Sequence, residues 1–437
     1  MCSVVDTVKI YVECTSTLFY HHHLNTGIQR LVRTILKSLY LFSSFQSKRL
    51  SVEPVAAFNG CFYTLKESAL SDCSQPHYRD IHPYASLFRK VLKSFLPASL
   101  ISSLRNFFAW RRFFQKFSSA HTSPPTVRFN KGDVLFLLDA GWELSSLRSA
   151  VAAAKKQGAL VGFCLCDLSP LKLPQYANEQ TPTKFRQWFA DMTQLADFCV
   201  SISRSVKREA QTYAQHDLGK KASCFQHIAS FTVNVDLDIP NSDCTIRDHL
   251  KALYRSDTSP YLAVSTLEPR KNYEMLLDAF DSLWSTRHDV VLVIVGSVGW
   301  NCKSLLKRIK NHPLFDRRLF LFHDLTDAEL AYCYQHSRAL ISPSFYEGLG
   351  LPPIEALHYR LPVIVSDIPV YRETVSGYGP FFNPSSSASL LRAISRFEKN
   401  RTYWLMKAAK FRWITSEQSY SDLIDKISYF RRKLHTD

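Results

Sequence analysis

Between Tyr261 and Ser366 the chain alternates short runs of uninterrupted apolar residues with amphipathic stretches, and this alternation narrows the possible folds more than any other feature. Tyr261-Leu-Ala-Val-Ser265 reads as a buried strand, followed by a loop and then a helix with Leu276, Leu277, Phe280 and Leu283 on one face. Val290 to Gly296, Leu319 to Phe322, Ala339 to Ser342 and Val363 to Ser366 repeat the strand signal, with a basic helix expected over 302–311. Thr326-Asp-Ala-Glu329 has the form of a capping box, in which the Thr hydroxyl and Glu carboxylate satisfy free amides at a helix start. A strand covered on both faces reads as a continuous apolar run, so the pattern predicts a parallel sheet between two layers of helices.

The first half repeats this logic less cleanly. Val8 to Val12, Val134 to Leu138, Leu160 to Leu165 and Phe198 to Ile202 are strand-like, Ile28 to Leu39 carries a helical stripe, and an alanine-rich helix is expected from Leu147 to Lys156. At 437 residues the chain exceeds one ordinary core. The expected division is a first α/β domain over 1–235, a polar linker over 236–260, a second α/β domain over 261–400, and helices over 401–437 packing back across the first domain.

The net charge of +16 points to an anionic partner, but no recognition helix or aromatic platform accompanies it, so nucleic acid is not the expected one. Residues 81–132 contain no Asp or Glu and nine Lys or Arg among many Phe and Leu. Such an insert suits either an anionic membrane surface or a basic helical hairpin packed on the first domain. No apolar run is long enough to cross a bilayer and no secretory pattern opens the chain, so the expected location is cytoplasmic, with peripheral attachment to the inner membrane face if the insert binds lipid. The eleven cysteines are scattered, and several lie in apolar runs, as expected of reduced, buried thiols.

The chemistry concentrates in Ser344-Phe-Tyr-Glu347-Gly-Leu-Gly350-Leu-Pro-Pro-Ile-Glu355-Ala356. Gly348 and Gly350 allow backbone shapes closed to other residues, and Pro352 and Pro353 suit a first helical turn. Free amides and the positive end of a helix dipole there form a cradle for a diphosphate. Glu347 and Glu355, flanking that turn, can accept hydrogen bonds from sugar and ribose hydroxyls. Taken singly, Glu355 is as well explained by the helix dipole and Glu347 by solvent.

Together these residues resemble the group 1 (family 4) retaining glycosyltransferases, which carry two glutamates eight apart in an E-G-x-G-L-P-x-x-E-A frame. The resemblance extends to Leu267-Glu-Pro-Arg-Lys-Asn272, to Leu361-Pro-Val-Ile-Val-Ser-Asp367, and to Thr26-Gly-Ile-Gln-Arg30, which is similar to a motif of bacterial mannosyltransferases of surface polysaccharides. It implies two facing Rossmann-like domains of GT-B type with a C-terminal crossover helix, and no required cofactor or metal. It implies a nucleotide-diphosphate sugar donor, with GDP-mannose the best match, and a glycan or lipid-linked acceptor. By the same resemblance Glu355 binds ribose, Glu347 the transferred sugar, Arg270 and Lys271 the diphosphate, and Gly27 lets the first loop approach the phosphates. Glu347 and Asp167 are the implied catalytic positions.

The chain departs from the family in three places. Ser265-Thr266 replaces Gly-Arg, Cys166-Asp167 replaces His-Asp, and Arg360 stands where a helix-ending glycine is usual, at about 1 kcal/mol if its backbone is left-handed. These departures keep open an inactive homologue acting as a sugar-nucleotide or membrane-binding subunit. His21-His-His23 and Asp236-Leu-Asp238 imitate metal motifs, but consecutive histidines do not converge on one ion and the second lies in the expected linker. Gly296 and Gly299 suit either a contact with phosphate or acceptor or, as the better reading, a simple turn.

Overall fold

The computed structural model describes residues 8–20, 27–42, 50–65, 126–144, 146–218, 223–234, 246–254, 259–286 and 289–435. They form two α/β lobes. The first sheet has seven strands in the order β3-β2-β1-β4-β5-β6-β7: β1 Val8–Glu13, β2 Leu50–Phe58, β3 Cys61–Thr64, β4 Val134–Leu137, β5 Leu160–Leu165, β6 Phe198–Ser201 and β7 Ile228–Ser230. All its neighbours are parallel except β2 and β3, which form a hairpin. The hairpin turns at Asn59 (φ 48°) and Gly60 (φ 78°), the two left-handed positions that a tight two-residue turn requires.

The second sheet is wholly parallel in the order β10-β9-β8-β11-β12-β13: β8 Tyr261–Val264, β9 Leu292–Val295, β10 Leu319–Phe322, β11 Ala339–Ser342, β12 Val363–Ser366 and β13 Phe381–Phe382. Strands β4, β6, β9, β11 and β12 are buried along their whole length, which is why their sequences are apolar without alternation. The capping box forms: Glu329 N donates to Thr326 Oγ1 at 3.2 Å and Thr326 N to Glu329 Oε2 at 3.0 Å.

The helix Ser416–His435 crosses back to the first lobe. Phe430 stacks on Phe198 with ring centroids 5.1 Å apart, and Thr232 N donates to Asp422 Oδ2 at 2.9 Å. The polar segment 236–260 is not all linker. Asp248–Tyr254 is a helix, and beside it Arg247 Nε donates to the buried Glu329 at 2.6 Å. Most of the basic insert, together with His21 to His23, Asp236 and Asp238, lies outside the described residues.

In both sheets the first strand is central and the order reverses beside it, between β1 and β4 and between β8 and β11. Loops leaving such a reversal diverge and open a crevice at the carboxyl ends of the strands. The loop after β8 carries Glu268 to Lys271, and the loop after β11 carries Ser344 to Gly350. Topology therefore brings together two motifs separated by some eighty positions.

Candidate active site

The loop after β11 enters the helix Leu351–His358 through Gly350, whose φ of 81° is left-handed. A side chain there would also strike Tyr371, since a Cβ would lie 2.3 Å from its ring. The loop after β8 makes a short turn over Pro269–Lys271 and closes with Asn272 left-handed at φ 60°. Asn272 Nδ2 donates to Pro343 O at 3.1 Å and to Pro384 O at 2.7 Å, which locks the two loops side by side.

Across that junction Glu347 is held by three donors. Lys271 Nζ donates to Oε1 at 2.6 Å, Ser344 Oγ to the same oxygen at 2.7 Å, and Arg270 Nη1 to Oε2 at 3.1 Å. Burial would raise its pKa, but the charges of Lys271 and Arg270 outweigh it and hold the carboxyl down at about 2. Glu347 is thus anionic at any working pH, an acceptor of hydrogen bonds and not an acid. Arg270 also donates to Tyr346 O at 2.7 Å and to the buried Glu268 at 2.6 Å.

Glu355 is 4% exposed and accepts from two sides. Tyr334 Oη donates to Oε2 at 2.7 Å, and Arg30, on the helix Gly27–Phe42 of the first lobe, pairs with Oε1. Arg30 had no assigned role within the Thr26 to Arg30 motif. Gly27, at the start of that helix, faces Leu351 of the second lobe, with the nearest atom 3.5 Å from where its Cβ would be.

The lobes touch at the loop itself. Gly348 lies against the first lobe so closely that a Cβ would fall 2.1 Å from Cys166 O, and its carbonyl accepts from Ser203 Oγ at 2.7 Å. Tyr346 Oη donates to Glu209 at 2.5 Å and accepts from Leu168 N at 3.2 Å. Glu373 accepts from Arg204 N at 2.9 Å and Ser205 N at 2.7 Å, capping the helix Arg204–Tyr213 from the other lobe.

Asp167 sits in this contact zone, near enough for its charge to help keep Arg270 protonated. Its own hydrogen bonds are local: Oδ1 accepts from Ser169 N at 2.8 Å and Ser169 Oγ at 2.7 Å. The Cys166 thiol is pushed well up by its hydrogen bond with Cys164 and by burial, so it is a neutral neighbour and no thiolate. Ser265, standing at the departure from Gly-Arg, shares a 2.8 Å hydrogen bond with Tyr273. Gly296 and Gly299 pack closely on the β8 loop: a Cβ on either would meet its backbone, at 1.8 Å for Ser265 O and 2.6 Å for Leu267 O. Arg360 is left-handed at φ 63°. Among the described residues no three His, Cys, Asp or Glu side chains are grouped to hold a metal ion.

Residues 249–413 match the sequence family described as Glycosyl transferases group 1. The match lies within the second lobe. The serotype-specific mannosyltransferase WbdA of Escherichia coli is 29% identical over 358 residues, spanning 78% of this chain and 43% of WbdA. The O-antigen chain mannosyltransferase RfbU of Salmonella typhimurium is 34% identical over 139 residues, 32% of this chain and 38% of RfbU. The chain therefore covers less than half the length of these relatives. Among solved structures, Anabaena HepE in complex with UDP-glucose superposes with a TM-score of 0.57 at 14% identity, covering 98% of this chain and all of HepE. Sucrose-phosphate synthase from Thermosynechococcus elongatus gives 0.57 at 16% identity, covering 98% of each. The chain shares with these structures the GT-B architecture of two Rossmann-like lobes.

Proposed function

We propose that the chain transfers a hexose from a nucleotide-diphosphate sugar to a glycan or lipid-linked oligosaccharide in surface-polysaccharide synthesis, with retention of configuration. The observation that carries this reading is the arrangement of Glu347: an anionic carboxylate fixed by Lys271, Arg270 and Ser344, one loop away from Glu355. Mannose as the sugar and GDP as the nucleotide rest on the mannosyltransferase relatives.

In this reading Glu355 takes the ribose hydroxyls and Glu347 orients the sugar through its own. Lys271 and Arg270 already face the diphosphate in the donor complex, and pre-placed cations stabilise the negative charge that grows on departure without reorganising at the moment of reaction. The leaving phosphate accepts the proton of the attacking hydroxyl on the same face. Gly348 against Cys166 closes the cleft and excludes water that would hydrolyse the sugar donor. Gly27 and Asp167 lie on the first-lobe side of the reacting centre, and Gly348 and Gly350 shape the loop. The domains follow the division 1–235, 236–260, 261–400 and 401–437, and the protein works in the cytoplasm at the inner membrane face.

The test is a thermal-shift panel of UDP-, GDP-, dTDP- and ADP-sugars, because a ligand that binds only the folded state raises the melting temperature. A shift with a GDP-hexose, followed by transfer with the anomeric configuration kept by NMR, is the expected result. Binding without transfer to any mannose-terminated acceptor makes the chain an inactive sugar-nucleotide-binding homologue; no shift with any sugar nucleotide removes the reading altogether.

A further inference from the structure

The site contains two cation–carboxylate groupings of different origin. Arg270 and Lys271 meet Glu268 and Glu347 wholly within the second lobe. Arg30 meets Glu355 across the cleft, between residues 325 positions apart. Within its own lobe Glu355 has Tyr334 as a hydrogen-bond donor, and the helix that carries it also sends Ile354 and Leu357 into the apolar core. Burial costs a carboxylate its hydration, and a single neutral donor replaces little of it. Arg30 supplies the missing charge and the second donor. Burial works against the charge on Arg30, but Glu355 more than offsets this and the guanidinium stays protonated.

The geometry assigns Arg30 as a positioning residue: it orients the Glu355 carboxylate only while the two lobes are together, so that the grip on the nucleotide ribose depends on closure. This rests on the reading that Glu355 binds the ribose. Arg30 occupies Oε1 and Tyr334 Oε2, and each carboxylate oxygen retains a further lone-pair direction for a hydroxyl. When the lobes separate, Arg30 leaves with the first lobe, and Glu355 loses both its ion-pair partner and the donor that sets its plane.

The experiment compares binding of a nucleoside diphosphate with binding of inorganic pyrophosphate, which has no ribose. The nucleotide is whichever of UDP, GDP, dTDP or ADP stabilises the wild-type chain. Arg30→Ala is expected to weaken the nucleoside diphosphate at least tenfold and pyrophosphate less than twofold. Arg30→Lys restores part of the loss, because it keeps the charge without the planar fork. In a Glu355→Gln background Arg30→Ala is expected to add nothing further. Equal losses for both ligands would place Arg30 on the diphosphate itself and overturn the assignment. So would wild-type affinity in Arg30→Ala, or full additivity of the two substitutions. Circular dichroism and melting temperature separate these outcomes from misfolding, and Arg30→Lys carries the comparison if Arg30→Ala does not fold. If no nucleotide stabilises the wild-type chain, the reading of the site fails and this assignment fails with it.

Discussion

At the carboxyl end of β1 in the first lobe, Glu13 is fully buried beside Asp139; after β11 in the second lobe, Glu347 is largely enclosed beside Lys271 and Arg270. Both carboxyls stand where their sheet reverses its strand order. Burial and the Asp139 charge push Glu13 up to about 8, despite hydrogen bonds from Thr15, and its Oε2 has no hydrogen-bond partner among the described residues. Glu347 is held at about 2 because two cations override the same burial. One crevice edge keeps a proton and the other keeps a charge. What an enclosed carboxyl can do is set by the charge it meets, and only the second arrangement keeps an anionic acceptor of hydrogen bonds.

The largest expected effect breaks the second half of this contrast. Glu347→Gln keeps the shape and removes the charge, so transfer is expected to fall by on the order of 100- to 1000-fold while the fold persists. Steady-state kinetics with circular dichroism on the same preparation checks it, and near-normal turnover would remove Glu347 from the reaction. Next is the point where the two edges meet. Gly348→Ala puts a methyl 2.1 Å from Cys166 O, and backbone cannot yield as a flexible side chain does. A strain of about 1–3 kcal/mol against the closed form corresponds to roughly 5- to 150-fold in kcat/KM. A variant that closes and turns over normally would show that the lobe contact is not the working arrangement.

The same contrast explains how much could be read from the sequence. The strands of the second lobe were legible because a parallel strand buried on both faces has no polar residue to interrupt it. β2 was not, since Ser51, Glu53 and Pro54 break the pattern, although Asn59-Gly60 was a usable hairpin signal. Glu347, Glu355 and Lys271 were legible because each motif is contiguous in the chain. Arg30 and Tyr334 were not assigned, because their role exists only after a strand reversal and a second lobe bring them to Glu355. Glu13 gave no sign at all; an acidic residue ending a strand ordinarily faces water.

The third prediction concerns stability and pH. The folded state keeps the Glu13 proton up to about 8, whereas the unfolded chain releases it near the ordinary value of 4.5. Glu13 therefore lowers stability progressively as pH rises from 4.5 to 8. Glu13→Gln imitates the protonated form, so it is expected to melt a few degrees, about 3 °C, above wild type at pH 8 and level with it near pH 4. Glu347 behaves oppositely. Its stabilisation is present above 4.5 and is lost as pH falls toward 2, so the melting deficit of Glu347→Gln should be constant from pH 8 to 5 and close below that. Parallel pH–melting curves for the two variants would mean that the two edges are electrostatically alike.

The smallest effect asks whether the cations or the hydroxyl fix Glu347. Ser344 Oγ and Lys271 Nζ donate to the same oxygen at nearly equal distance, 2.7 and 2.6 Å. Ser344→Ala removes a donor and leaves both charges, so the carboxylate stays ionised and loses only part of its orientation. A loss of about 1 kcal/mol, or roughly fivefold in kcat/KM, is expected. In the first lobe Thr17 Oγ1 donates to Asp139 at 3.0 Å, and Thr17→Val removes that hydroxyl from an edge where Glu13 faces a carboxylate instead of cations. Asp139 keeps the backbone amides of Thr17 and Ala140 as donors but faces Glu13 where Glu347 faces two cations, so Thr17→Val should lower the melting temperature more than Ser344→Ala does. Equal melting shifts would show that the two cations add little beyond what a hydroxyl supplies, and that Glu347 is held by its hydrogen bonds more than by charge.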